Sequence, residues 1–268
     1  MKKVFLSLVI CLALLVGLTS CGKNEKTIVV GATPSPHAEI LNSDAIQNYI
    51  KSKGYTLEVK VYQDYVTPNK ALNDESLDAN YFQHIPYLEE EIAVKGYALS
   101  AACKVHNEPL NLYGIEAKTD FSGEKIYIIN DASNVERAYQ LLVANGLLTS
   151  YSVENFDAGN PVYESSIGVT IECIDAGLLH QKVAEGGYAV IPGNYALTAW
   201  GTSKATEYKV FGESIDVAYP NIIAVRTADL DSEKIKVLVE AFAQPEVKAF
   251  IEQTYGPTVN YVYESLLK

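Results

Sequence analysis

Asp64–Tyr87, DYVTPNKALNDESLDANYFQHIPY, decides how the rest of the chain is read. Thr67 followed by Pro68 is a helix start, and Pro86 opens a second helix that stops at Gly96. Between them Leu77 to Tyr81 is a short strand, so the stretch reads helix, strand, helix. Tyr65 precedes the first helix, while Tyr81, Phe82 and His84 gather around the strand's end. A strand ending in aromatics beside a helix start is where α/β proteins build ligand pockets. The same residues would also serve as ordinary core packing, and this stretch alone leaves both readings open.

Outward from it, strand and helix keep alternating. Thr27 to Ala32 (TIVVGA) is a β-branched buried strand, a helix follows from about His37 to Lys53, and Leu57 to Tyr62 alternates as a half-solvated strand. Ala98 to Val105 and Leu110 to Gly114 are strand candidates. The pattern restarts at Lys125 to Ile129, with a helix to Ala144, then Val169 to Cys173, a helix near Gly177 to Glu185, and Tyr188 to Ile191. Tyr208 to Phe211 and Asn221 to Val225 are further strands, and helices Ser232 to Ala243 and Pro245 to Tyr255 finish the chain. This is the pattern of parallel α/β sheets with right-handed crossovers. Two halves of comparable size predict two lobes with a cleft between them: 27–111 with 222–268, and 112–221.

The N-terminus indicates export. Lys2 and Lys3 precede an apolar run from Val4 to Leu18, too short for a membrane anchor, which ends in Leu18-Thr19-Ser20-Cys21-Gly22. This looks like a bacterial lipobox: residues 1–20 as signal peptide, lipid on the Cys21 thiol, and 21–26 as a polar tether at the outer face of a membrane. The 268 residues less those 20 leave 248, enough for one large domain or two lobes. Loss of Lys2 and Lys3 moves the formal charge from −12 to −14, which argues against nucleic acid. Cys103 and Cys173, the remaining cysteines, read as buried thiols, although a pairing between them stays open.

Ser133 and Glu136 have capping-box spacing, which places a helix start near Asn134 and Arg137 in its first turn. A guanidinium beside free helix N–H groups is a carboxylate seat; a surface ion pair with Glu136 or Asp131 is the other reading. Asn194-Tyr195 and Tyr219-Pro220-Asn221 put an amide next to an aromatic at strand ends, where turn chemistry also explains asparagine. His37, His84, His106 and His180 are scattered, so no metal site is expected from spacing. No phosphate loop or nucleophile elbow argues for catalysis.

Asp64-Tyr65-Val66, Pro68-Asn69 and Asp78-Ala79-Asn80, then Phe82-Gln83-His84 and Pro86-Tyr87, resemble the methionine-binding lipoproteins of bacterial ABC importers. Thr33-Pro34, Pro36 to Leu41, Glu108-Pro109, Asn130-Asp131, Gly193 to Ala196 and Asn221 to Ile223 extend the resemblance across nearly the whole mature chain. The resemblance implies a two-lobed, periplasmic-binding-protein-like monomer without cofactor or catalysis. It would close on L- or D-methionine and pass it to a permease. Tyr65, Phe82, His84 and Tyr87, with Tyr81, would line the side-chain pocket. Arg137 would hold the carboxylate, while Asn134, Asn194, Tyr195 and Asn221 orient the amino and carboxylate groups. Another small amino acid, a dipeptide, or an exported enzyme on the same scaffold are the alternatives. Pro192 stands where the family often has asparagine, so Asn194 would have to substitute. Ile129, Ala132 and Glu136 also depart from the family's pattern.

Overall fold

The computed structural model describes residues 26–214 and 219–267, so the signal at 1–20 and the lipidation site Cys21 lie outside the described residues. In order, the chain forms β1 (Thr27–Ala32), α1 (Asp44–Ser52), β2 (Thr56–Val61), α2 (Thr67–Asn73), β3 (Ala79–His84), α3 (Ile85–Lys95), β4 (Leu99–Asn107) and β5 (Asn111–Tyr113). It continues with β6 (Lys125–Ile129), α4 (Ala132–Ala144), β7 (Ser150–Ser152), β8 (Val162–Glu164), β9 (Thr170–Ile174), α5 (Ala176–Ala184), β10 (Tyr188–Ile191) and α6 (Gly193–Tyr208). The last elements are β11 (Lys209–Gly212), β12 (Pro220–Arg226), α7 (Glu233–Phe242), α8 (Pro245–Tyr255) and β13 (Asn260–Ser265).

Two mixed sheets organise these elements. The first runs β13-β4-β12-β3-β1-β2 and the second β11-β5-β10-β6-β9, with β7 and β8 as a separate pair. β1 lies parallel to β2 and β3, and β6 lies parallel to β9 and β10. β12 runs antiparallel between β3 and β4, and β5 antiparallel between β10 and β11. The chain passes from the first sheet to the second between Asn107 and Asn111, and returns between Gly212 and Pro220.

Each sheet is buried on both faces, which its near-continuous apolar strands require. Ile46 and Ile50 of α1, Leu238 and Phe242 of α7 and Ile251 of α8 pack on one face of the first sheet; Leu72 of α2 and Leu88 of α3 pack on the other. In the second sheet, Val135, Tyr139 and Leu142 of α4 oppose Leu179 and Val183 of α5 and Ala196 of α6.

Several local expectations are corrected. The helix read from His37 is interrupted: Pro34–Ala38 and Glu39–Leu41 are separate turns, and extended Ser43 starts α1 afresh by accepting from the Ile46 N–H. Thr67 does not cap α2; the Asp64 carboxylate does, accepting from the N–H groups of Val66 (2.9 Å) and Thr67 (2.6 Å). The strand read at Leu77–Tyr81 is displaced to Ala79–His84; Asp78, just before it, meets Val29 through both its backbone N–H and its carboxylate. α6 is a helix that spacing did not disclose; Asn194-Tyr195 reads as a turn, and Gly201, at φ +67°, breaks the periodicity halfway. Gly96 ends α3 in the left-handed conformation as expected (φ +72°).

The side chain of Tyr81 anchors one edge of the cleft from inside the first-lobe core, with its ring 5.3 Å from that of fully buried Phe242. Phe242→Ala should cost about 3–5 kcal/mol in urea denaturation, the usual range for a buried phenylalanine. A loss well under that range would show that this core collapses around the gap.

Candidate functional site

The candidate groups converge because one end of both sheets supplies them. His84 closes β3, Glu108 follows β4, Asp131 to Arg137 follow β6, and Pro192 to Asn194 follow β10. Antiparallel β12 starts at this same end and brings Asn221. Strand carboxyl ends meeting across a crevice are the usual ligand position in open α/β sheets. Tyr65, Phe82, His84, Tyr87, Asn134, Arg137, Asn194 and Asn221 all line a single cavity with about 340 Å³ of atom-free space. Gln83, Glu108, Pro192 and Gly193 complete the lining; Gln83, Glu108 and Gly193 lie within motifs of the sequence, but none of the three was expected to line the pocket.

One wall is aromatic. The Tyr65 ring centroid lies 5.7 Å from Phe82, 5.8 Å from Tyr87 and 5.1 Å from Tyr195. Tyr87 donates its hydroxyl to the Tyr65 carbonyl at 3.0 Å, and Tyr65 donates to Asn194 Oδ1 at 2.6 Å, tying the first lobe to the second. Behind the wall, buried Asn69, Asn80 and Gln83 bond one another, which stiffens β3 against α2. Tyr195 packs on Tyr65 from outside the cavity, with its hydroxyl 3.5 Å from the Gln63 carbonyl. Tyr81 is a correction: it is fully buried, bonds His106 Nδ1 through its hydroxyl, and stands behind the cavity rather than on it.

The opposite wall is polar and already wired. His84 Nδ1 accepts from the Tyr87 N–H at 3.2 Å, and a backbone N–H can only donate. The ring proton is therefore on Nε2, which donates across the cleft to Asn134 Oδ1 at 3.0 Å. Burial, and then the charge of Arg137, lower the His84 pKa from 6.5 to about 3, so the imidazole is neutral. Asn134 donates from Nδ2 to both oxygens of Asp131, whose carboxylate caps α4 by accepting the Asn134 N–H at 2.9 Å. The expected Ser133–Glu136 capping box is thus replaced by Asp131, and α4 begins at Ala132.

Arg137 consequently sits in the second turn of α4. It is 4% exposed, and its partner is neither Glu136 nor Asp131 but Glu213. Arg137 Nε donates to Glu213 Oε1 at 2.9 Å and Nη2 to Oε2, while Nη2 also reaches the Glu108 carbonyl at 3.2 Å. The Tyr219 ring lies 4.3 Å from the guanidinium carbon. Glu213 grips the guanidinium side-on and leaves Nη1 with only a 3.5 Å approach to Asn134. The helix N–H groups expected to help are engaged elsewhere, Ser133 N–H by Glu90 and Asn134 N–H by Asp131.

Two of the four scattered histidines, His37 and His106, meet in space. His37, His106 and Glu108 bring donor-type atoms within 4.8 Å of one another, the donor set of a metal site that sequence spacing does not disclose. His106 Nε2 lies 2.7 Å and His37 Nε2 3.4 Å from Glu108 Oε1. Burial lowers the pKa values of His37 to about 4 and His106 to about 3, and raises that of Glu108. Cys103 and Cys173 are free thiols on different sheets. Among the sequence departures, Pro192 forms the N-terminal boundary of α6, whereas Ile129, Ala132 and Glu136 are absent from the lining.

Two α/β lobes enclosing a narrow cavity, aromatic on one side and hydrogen-bonding on the other, define a two-lobed solute-binding protein. Residues 28–262 match the family model described as NlpA lipoprotein, and the chain belongs to that family. It is 39% identical to the "Methionine-binding lipoprotein MetQ" of Bacillus subtilis (strain 168), over 98% of this chain and 100% of that one. The "D-methionine-binding lipoprotein MetQ" of Salmonella typhi is 30% identical over 86% of this chain and 87% of its own. A nutrient binding protein from Burkholderia cenocepacia, solved bound to methionine, superposes with a TM-score of 0.78 at 31% identity, covering 87% of this chain and 99% of that chain.

The neutral state of His84 has a pH signature. Its folded pKa is depressed, so the unfolded chain binds the extra proton, and the stability it contributes is complete above about pH 6.5 and lost as pH falls toward about 3. The stability difference between the protein and its His84→Gln variant should shrink by about 1.4 kcal/mol per pH unit below pH 6. Denaturant titrations at a series of pH values measure this; a constant difference would place a charged imidazole in the fold.

Proposed function

We propose that this protein captures one free methionine in the interlobe cavity and delivers it to the permease of an ABC importer, held to the outer face of the membrane by lipid on Cys21. The observation that carries the reading is that the aromatic cage of Tyr65, Phe82 and Tyr87 and the Arg137 guanidinium, whose Nη1 makes only a 3.5 Å contact with Asn134 among the described residues, line one small cavity. Aromatic rings suit a polarisable thioether, each sulfur–ring contact contributing about 0.3–1.5 kcal/mol. Asn221 accepts from His37 through Oδ1 at 3.0 Å, so its Nδ2 is available to join Nη1 on the carboxylate. The named relatives support methionine, in either enantiomer, as the solute.

We divide the lobes by sheet membership, with the passage between Asn107 and Asn111 as part of the hinge. Tyr65–Asn194 and His84–Asn134 are then latches that closure brings together. His84 acts chiefly as a positioned neutral donor; a general base at this position would need a nitrogen that its two hydrogen bonds do not leave.

Methionine at about 100 times its dissociation constant should add roughly 2.7 kcal/mol to unfolding, and the other amino acids clearly less. No thermal shift with either enantiomer, in protein stripped of ligand, contradicts methionine as the solute. Arg137→Ala alone would leave Glu213 buried without its cation, at a cost of about 3–5 kcal/mol, and so mixes binding with folding. The paired change Arg137→Gln with Glu213→Gln should fold and bind methionine roughly 30-fold to several thousand-fold more weakly in calorimetry. Native affinity in that variant contradicts the carboxylate role. Cys21→Ala should move the protein from the membrane to the soluble fraction in cell fractionation; retention in the membrane contradicts the lipid tether.

A further inference from the structure

Glu108 is the one cavity-lining group whose charge the arrangement described so far leaves unanswered. Its side chain is 5% exposed, and its carboxylate accepts from His106 Nε2 at 2.7 Å and from the Asn194 backbone N–H. His37 Nε2 approaches the same oxygen at 3.4 Å. Both imidazoles are aimed from behind, His106 by the Tyr81 hydroxyl and His37 by Thr33 Oγ1 at 2.8 Å. Each imidazole presents one ring nitrogen to the carboxylate and so fixes its orientation. Arg137 is engaged with Glu213 and meets Glu108 only at its backbone carbonyl. Gly193 holds the carboxylate close: a Cβ there would sit 2.9 Å from Glu108 Cβ and Oε2. Burial raises the pKa of this carboxyl group, and a cation arriving with the ligand would stabilise its ionised form.

We propose that Glu108 is the seat of the ligand's α-ammonium group, aimed by His37 and His106, so that the cavity selects solutes with a free primary amine and rejects their N-acylated forms. This rests on the cavity's being an amino-acid site. It gives the ligand a direction: ammonium toward Glu108, carboxylate toward Arg137 Nη1, and side chain into the Tyr65–Phe82–Tyr87 cage. It also explains why Gly193 precedes Asn194: a larger residue would displace the carboxylate it packs against.

The test is calorimetry on the full chain, purified in detergent and stripped of ligand, with L-methionine, N-acetyl-L-methionine and L-methioninamide. The wild type should bind methionine at least about 30-fold more tightly than its N-acetyl form, a comparison that needs no variant. Glu108→Gln, checked for folding by its thermal transition, should weaken methionine by at least about 30-fold and leave N-acetylmethionine nearly unchanged. Equal wild-type affinity for methionine and N-acetylmethionine overturns the proposal, as does native methionine binding by a folded Glu108→Gln. Zinc is the control for the metal alternative: no thermal shift is expected, and a shift abolished by His106→Gln overturns the ammonium role. If methionine fails but another free amino acid binds, the solute is wrong, and Glu108 is judged on that amino acid and its N-acetyl form. Binding by no free amino acid overturns both readings.

Discussion

A guanidinium buried between two lobes must be paired, and the pairing of Arg137 with Glu213 is the constraint on which the site depends. Because Glu213 takes the Nε–Nη2 edge, Arg137 is held in one orientation with Nη1 turned away from that pair. A cation fixed there helps keep His84 neutral, and a neutral His84 with its proton on Nε2 can donate to Asn134 across the cleft. Asn134 is in turn oriented by Asp131, the residue that starts α4 and so sets where Arg137 lies. Helix start, ion pair, tautomer and interlobe contact form one connected arrangement.

The fold was largely legible because hydrophobic period and helix punctuation are local. TIVVGA and KIYII read as buried strands, and the proline and glycine at the two ends of α3 bound it in both sequence and structure. The strand directions were less legible: β12 and β5 run antiparallel inside otherwise parallel groupings, and nothing in their own residues says which neighbour they will meet. β7, β8 and β13 are short or at sheet edges, and pairing rather than pattern makes them strands.

The site was legible where a residue carries its chemistry in its own neighbourhood. Tyr65, Phe82, His84 and Tyr87 sit within one helix–strand–helix unit, and all four reach the cavity. Tyr81 misled because its neighbours in sequence face the cleft while its own ring packs against Phe242. Glu213 and Asp131 were missed as partners because their meaning depends on contacts across 76 residues in one case and on helix capping in the other. His37, His106 and Glu108 are silent in sequence for the same reason: 69 residues separate the two histidines whose rings lie 5.1 Å apart. Pro192 marks the start of α6, and Asn194, two residues on, bonds Tyr65.

The account's central claim is that the cavity is built around a free amino acid with a thioether side chain. Mass spectrometry of the small molecules released on denaturing protein purified from its native host addresses that claim without any choice of test ligand. The account predicts methionine as the released species, in about one-to-one ratio with the chain. Release of a peptide, a sugar or an amine-blocked compound in that ratio would contradict it.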